Sequence, residues 1–311
     1  PAMRFLDGIM VIGGWLCLVG LYLFWGGGDP RVRWYSTFYA PNAFAAFLLL
    51  ILPMAILRLC LARNRREAFD YGALTVLLAV AFVLTVSRGA YAALAVSGVA
   101  AVGLLPPIRK IVPLRRVAAA VLVTALAIAL LTRTPGYTVQ RTAELFGSGN
   151  SSIYDRLSFW RSGVAIFLSS PLTGTGPGTF AYAHAKYQHR SYAQDAHSLY
   201  IQALAETGVL GFGALMLFLL FLARLWFRAL RQTAGGEDYP LVAGIGVALL
   251  AFFLHSAVEM PWQFPAIPGL AFALAGALAA VSTTAMVPVF IFVLIVQRNL
   301  VRGLTMGAVK G

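Results

Sequence analysis

The sequence predicts an all-α polytopic membrane protein, and three observations predict it. Of the 311 residues, 60% are hydrophobic and 11% charged, against about 45–50% and ~25% in a soluble domain. The apolar residues gather into eight runs, near 5–25, 42–60, 69–87, 90–105, 117–132, 208–223, 240–257 and 264–281. Most of these approach the ~20 residues that carry a helix across a bilayer. The cations fall mostly between the runs rather than inside them. A lone strand cannot satisfy its backbone in lipid, so each run is expected to be a helix. Scarce charge and 13% aromatic residues exclude a disordered chain.

The net charge of +13 would point to nucleic acid in a soluble protein. Here topology accounts for it, and no nucleic-acid partner is expected. Arg58, Arg63, Arg65 and Arg66 follow the second run; Arg109, Lys110, Arg115 and Arg116 follow the fourth; Arg224, Arg228 and Arg231 follow the sixth. The positive-inside rule makes that shared side cytoplasmic. The opposite side then carries the 26–41 connection, the short turn Ser87-Arg88-Gly89 and the segment 133–207. The organisation expected is membrane helices over 1–132, a periplasmic loop with amphipathic helices over 133–207, and membrane helices over 208–282. An atypical tail over 283–311 completes it. The two cysteines, Cys17 and Cys60, match no metal spacing and require no disulfide. The chain opens at Pro1, with no Met or signal segment, and reads as a fragment.

The segment 133–207 is far longer than an ordinary connection, so it is expected to fold over the membrane and to carry function. It holds Arg133, Arg141, Arg156, Arg161, Lys186 and Arg190 on the side where cations are unexpected. Long loops escape the charge rule, but these residues still call for a partner, and an anionic ligand is one. Arg88, where two runs meet, either reaches lipid phosphates or binds a substrate phosphate beside Ser87 and Gly89. Tyr154-Asp155-Arg156-Leu157-Ser158-Phe159-Trp160-Arg161 opens an amphipathic helix that ends at Ser169-Ser170-Pro171, with Arg156 and Trp160 on one face. It is either an interfacial helix with snorkelling arginines or part of a site.

Gly174, Gly176 and Gly178 mimic a nucleotide fingerprint. No strand precedes them, however, and Pro177 removes an amide that a phosphate cradle would use. A rigid turn is expected. Further on, Asp195 is expected to cap a helix whose first turn holds His197. His197, Tyr200, Ile201 and Leu204 would then share a face. His197 is an exposed polar residue or a base at a helix start that favours anions. With His184 and His189 it is too irregularly spaced, and has too few carboxylates nearby, for a metal centre. His255 is a satisfied bundle histidine or, with Glu259, a support for the site; Glu259 can pair with a loop arginine.

In order, Phe38-Tyr39-Ala40-Pro41-Asn42-Ala43-Phe44-Ala45, Ser87-Arg88-Gly89-Ala90, Arg156-Leu157-Ser158-Phe159-Trp160, Pro171…Gly174-Thr175-Gly176, His197-Ser198-Leu199-Tyr200 with Glu206-Thr207-Gly208-Val209-Leu210-Gly211, and His255…Glu259 resemble the O-antigen ligase / Wzy-type superfamily of membrane glycosyltransferases. The likeness covers about residues 35–280. It implies a GT-C-type helical bundle with a large periplasmic loop, in the bacterial inner membrane, and a glycan donor carried on undecaprenyl diphosphate. It also implies transfer without a metal or other cofactor. Members of that family usually have around twelve spans against the eight counted here, so the chain reads as truncated at its amino end. The family's usual His-Asn pair is His197-Ser198 here.

Transfer to an acceptor sugar hydroxyl, on lipid A–core or another glycan, would build negative charge on the leaving diphosphate. Arg88 and Arg156 are the candidate cations, since guanidinium forks suit phosphate oxygens. The hydroxyl must lose a proton, and His197, with an ordinary pKa of ~6.5, is the candidate base. Arg161, Trp160, Tyr200 and His255 are the candidate substrate-binding residues. A Wzy-type polymerase and a protein O-glycosyltransferase would share this chemistry. Residues 297–311 resemble instead the carboxyl terminus of carbohydrate ABC-transporter permeases, which keeps a sugar permease subunit as the alternative of another class. The Glu-Ala-Ala…Gly coupling segment that such a subunit needs is missing from Arg63–Asp70, Pro106–Arg116 and Arg224–Pro240.

Overall fold

A computed structural model describes residues 2–26, 34–105, 114–132, 151–187 and 192–281. Among the described residues the secondary structure is wholly helical. In chain order the α-helices are α1 (Ala2–Gly26), α2 (Pro41–Leu61), α3 (Arg65–Leu84), α4 (Arg88–Leu104), α5 (Leu114–Thr132), α6 (Ser151–Ser169), α7 (Phe180–Tyr187), α8 (Leu199–Gln232), α9 (Tyr239–His255) and α10 (Ala266–Val281). Each expected run lies on one of α1–α5 and α8–α10. By length and composition α1, α2, α3 and α8 can cross a membrane, while α4, α9 and α10 are shorter apolar helices. A 17-residue helix such as α4 spans only about 25 Å, short of the ~30 Å hydrocarbon core. The chain is an all-α, multi-pass membrane protein. The 297–311 segment and the cations Arg109, Lys110, Arg133, Arg141 and Arg190 lie outside the described residues.

The helices divide into two compact units, Pro1–Asn150 with Gly235–His255 and Ser151–Ala234 with Ser256–Gly311. In the first, α2 is the central element. Phe44, Leu48, Leu49, Leu50 and Ile51 are almost wholly enclosed by packing against α9, α3 and α1. Its carboxyl end gathers the charges. Arg58 binds Asp7 at 2.8 Å, and Arg116 donates to the carbonyls of Leu59, Cys60 and Ala62 at 2.8–3.0 Å. Those are the carbonyls that a helix end leaves unpaired, and a cation there also meets the negative end of the helix dipole. Asn64 begins α3 by accepting from the Glu67 amide at 2.8 Å, while the Glu67 carboxylate accepts from Asn64 Nδ2 at 2.9 Å and from the Arg63 amide at 2.8 Å, a variant of the reciprocal cap. The cations after α2 and at the start of α5 therefore meet at one end of this unit, as alternating helices require.

The second unit is built on α6 and α8. Phe159 and Ile166 of α6, Phe180 of α7, and Ala193, Ala196 and Ala205 form its core, with Ile201 packed against them. Gly163 lets α6 approach α8 closely, because a Cβ there would overlap Ile201. α8 is interrupted at Gly208, where φ is +62° and ψ −163°. The Pro171–Gly176 turn fills the break. Val209 and Leu210 donate to the carbonyls of Pro171 (2.8 Å) and Leu172 (3.3 Å); Ala205 and Glu206 accept from the amides of Thr175 (3.2 Å) and Gly176 (2.9 Å). The expected rigid turn is thus present, and it repairs a kink.

Gly174 and Gly208, both at positive φ, sit where any Cβ would enter the opposing backbone. Gly208→Ala is therefore expected to cost about 2–6 kcal/mol, from a strained backbone and an overlap worth about 1–3 kcal/mol each. Thermal unfolding followed by circular dichroism in detergent checks this against Gly213→Ala, whose Cβ meets nothing within 4 Å. Equal midpoints for the two variants would refute the account.

Candidate active site

The polar cluster of the second unit centres on Glu259, whose side chain is 8% exposed. It lies between the end of α9 and the short 3₁₀ turn Pro261–Gln263. One carboxylate oxygen, Oε2, accepts from Arg156 Nη2 of α6 at 2.8 Å. The other, Oε1, meets His197 Nδ1 at 2.6 Å and the Met260 amide at 3.3 Å. Arg156 and His197 remain 25% and 38% exposed, so the cluster is open on the side away from Glu259.

His197 is held by its surroundings rather than by a helix. Its φ is +47°, a conformation that non-glycine residues rarely take and that must be imposed. Asp195 Oδ1 accepts from the His197 amide at 2.7 Å, and Asp195 Oδ2 accepts from Gln263 at 2.6 Å. Ser198, not Asp195, is the N-cap of α8, and its side chain accepts from the Ile201 amide at 3.4 Å. The Leu199 amide donates to the Ser256 carbonyl at 2.8 Å, which brings the residues before Glu259 alongside His197. The expected Asp195 cap, with His197 inside the first turn and on one face with Tyr200, Ile201 and Leu204, is thereby corrected. Asp and Ser both cap well, and the Asp195–Gln263 bond decides between them.

The electrostatics follow the geometry. A carboxylate can only accept, so Nδ1 carries the proton toward Glu259 and Nε2 is left as the free lone pair. The Glu259 hydrogen bond holds the imidazole pKa above its ordinary value; burial and Arg156 pull against it, and the charges of Asp195 and Glu259 reinforce it. Phe159 stacks on the imidazole with centroids 5.8 Å apart. The arrangement can take a proton at Nε2, stabilise the imidazolium that results, and offer the remaining guanidinium donors of Arg156 to an anion.

The other candidates divide as follows. Trp160 follows Arg156 by one turn of α6, and its buried indole N–H has no hydrogen-bond partner among the described residues. Arg161 is exposed, and Tyr200 is half-buried in the first turn of α8. Arg88 and His255 belong to the first unit. Arg88 opens α4, and His255, almost fully buried, ends α9 with Nε2 3.4 Å from the Asn42 carbonyl. Sequence reasoning had placed Glu259 as an arginine's partner but not as the acceptor for His197. It missed Gln202, Glu206 and Gln263 as site residues. Among the described residues no group of three or more His, Cys, Asp or Glu side chains is placed to hold a metal ion.

A multi-pass helical membrane protein with an open guanidinium–carboxylate–imidazole cluster is the class that fold and site define. Residues 73–218 match the family model Wzy_C, described as O-Antigen ligase. The match bears out, over that segment, the O-antigen ligase / Wzy-type resemblance read from the motifs. It includes Arg88, Arg156, Trp160, Arg161, His197 and Tyr200, and ends before His255 and Glu259. No curated protein matches the chain.

Proposed function

We propose that this protein is a glycosyltransferase of surface-glycan biosynthesis that moves a glycan from undecaprenyl diphosphate to an acceptor sugar hydroxyl on lipid A–core. The reaction takes place at the periplasmic face of the inner membrane, with residues 133–207 forming the outer loop and the arginine-rich end of the first unit facing the cytoplasm. The observation that carries this reading is Glu259 joining Arg156 to His197 at 2.8 and 2.6 Å. The acceptor hydroxyl gives its proton to His197 Nε2, and its oxygen attacks the anomeric carbon. The bond from that carbon to the diphosphate oxygen breaks, and undecaprenyl diphosphate leaves with the electron pair. A guanidinium has five N–H donors, so Arg156 can keep its bond to Glu259 and still bind phosphate oxygens. Arg88 is the second proposed cation, which lets transfer proceed without a metal ion. Trp160, whose indole N–H has no partner among the described residues, Arg161, Tyr200 and His255 are the proposed contacts to donor and acceptor. A Wzy-type polymerase and a protein O-glycosyltransferase would use the same groups.

The test is transfer in vitro from undecaprenyl-diphosphate glycan, with lipid A–core and a second donor molecule as competing acceptors. Product on lipid A–core is the expected result. A lengthened donor would make the protein a polymerase, and no product on either acceptor would overturn the reading.

A further inference from the structure

Three donors converge on the buried carboxylate of Glu206. These are the amides of Gly178 and Phe180, each at 2.9 Å, and Gln202 Nε2 at 2.7 Å. The glycine-rich turn therefore does cradle an anion, and that anion is the chain's own. Gln202 faces two ways. While its Nε2 donates to Glu206, its Oε1 accepts from the Ala196 amide at 2.7 Å. Ala196 immediately precedes His197, the residue held at φ +47°. The acceptor-only carboxylate thus fixes which way the Gln202 amide is turned, and the turned amide fixes the peptide that aims the imidazole.

We propose that Glu206 is a positioning residue for His197, acting through Gln202 and the Ala196 backbone. Gln202 and Glu206 are one helical turn apart on α8, ahead of the kink at Gly208, so the relay runs from the 176–180 turn through the start of α8 into the site. Replacing the carboxylate with an amide breaks it in a predictable way. A glutamine at 206 has one acceptor for three donors, so its NH2 opposes a backbone N–H or the Gln202 amide. If Gln202 flips in response, its own NH2 is turned on the Ala196 N–H. That flip releases Ala196, and with it the 2.6 Å register between His197 and Glu259.

The groups facing His197 are Glu259, Asp195 and Arg156, with Phe159 against the ring. Only its distance to Glu259 needs to change for its titration to move. The experiment is a ¹⁵N NMR titration of the histidine-labelled full chain in nanodiscs, with His197→Ala to identify the signal. Glu206→Gln is expected to move the His197 titration to lower pH, in the same direction as Glu259→Gln, and to add nothing in a Glu259→Gln background. Gln202→Leu, which leaves both backbone amides on Glu206, is expected to do the same and guards against a folding defect in the first variant. In the transfer assay kcat is expected to fall about ten- to a hundred-fold, with KM for the donor nearly unchanged. A His197 titration that stays in place in both variants overturns the relay. The role as an aid to transfer rests on the proposed function. The titration needs no activity, so absence of transfer by the unaltered protein would overturn that function and leave the relay standing.

Discussion

Replacing His197 with alanine is expected to lower transfer by about 10²–10⁴-fold, the range attached to loss of a positioned general base, while the protein stays at its normal level in the membrane. The side chain is 38% exposed, and its amide, which holds the loop to Asp195, survives the substitution. The variant therefore removes a proton acceptor without opening the core. The measurement is the initial rate of product formation per unit of membrane-inserted protein. A rate within a few-fold of the unaltered chain would remove His197 from the chemistry. It would also leave the left-handed backbone at that residue without a functional explanation.

Glu259→Gln is expected to produce the second large effect, a loss of about a hundred-fold together with a shifted pH profile. In the unaltered protein the acid limb reports the neutral imidazole, because only that form can accept a proton. The Glu259 bond keeps the limb above the ordinary histidine value. In the variant burial and Arg156 pull the pKa down, opposed only by Asp195, so the limb moves to lower pH. The stability linkage has the matching sign. The bond favours the imidazolium, so its contribution is full below pH ~6.5 and is lost as pH rises through the raised folded value. Rate measurements across pH 5 to 9 check both points, and an unmoved limb would separate Glu259 from the base. The substitution also leaves Arg156 without its countercharge, so a compensating tightening of donor binding is expected beside the slower turnover.

The helices were legible because hydropathy is a local property. A run such as 42–60 must be buried whatever surrounds it, and α2 is indeed enclosed along most of its length. Arg156 and His197 could be picked out because a cation or an imidazole on a long membrane-protein loop needs a reason. What joins them could not. Glu259 lies 103 and 62 residues from its two partners, and no spacing encodes that distance. The position of His197 outside α8 was missed for a related reason. Asp195 and Ser198 are both competent caps, and a bond to Gln263, 68 residues away, assigns Asp195 elsewhere. Gln202 and Glu206 carried a visible four-residue spacing, but that spacing alone marks any helical surface pair. Their meaning came from the amides of the turn at 176–180.

The break in α8 has a consequence for depth. From Gly208 to Arg224, the first cation beyond it, the helix rises about 24 Å, a little less than the ~30 Å hydrocarbon layer. With Arg224 reaching for one surface, Gly208 falls at the margin of the other. A break within the hydrocarbon layer still needs partners, since lipid offers its backbone none, and the Pro171–Gly176 turn brings them. The helix thereby serves as a gauge rod. Its apolar length sets how far the residues just before the kink stand from the surface that Arg224 reaches.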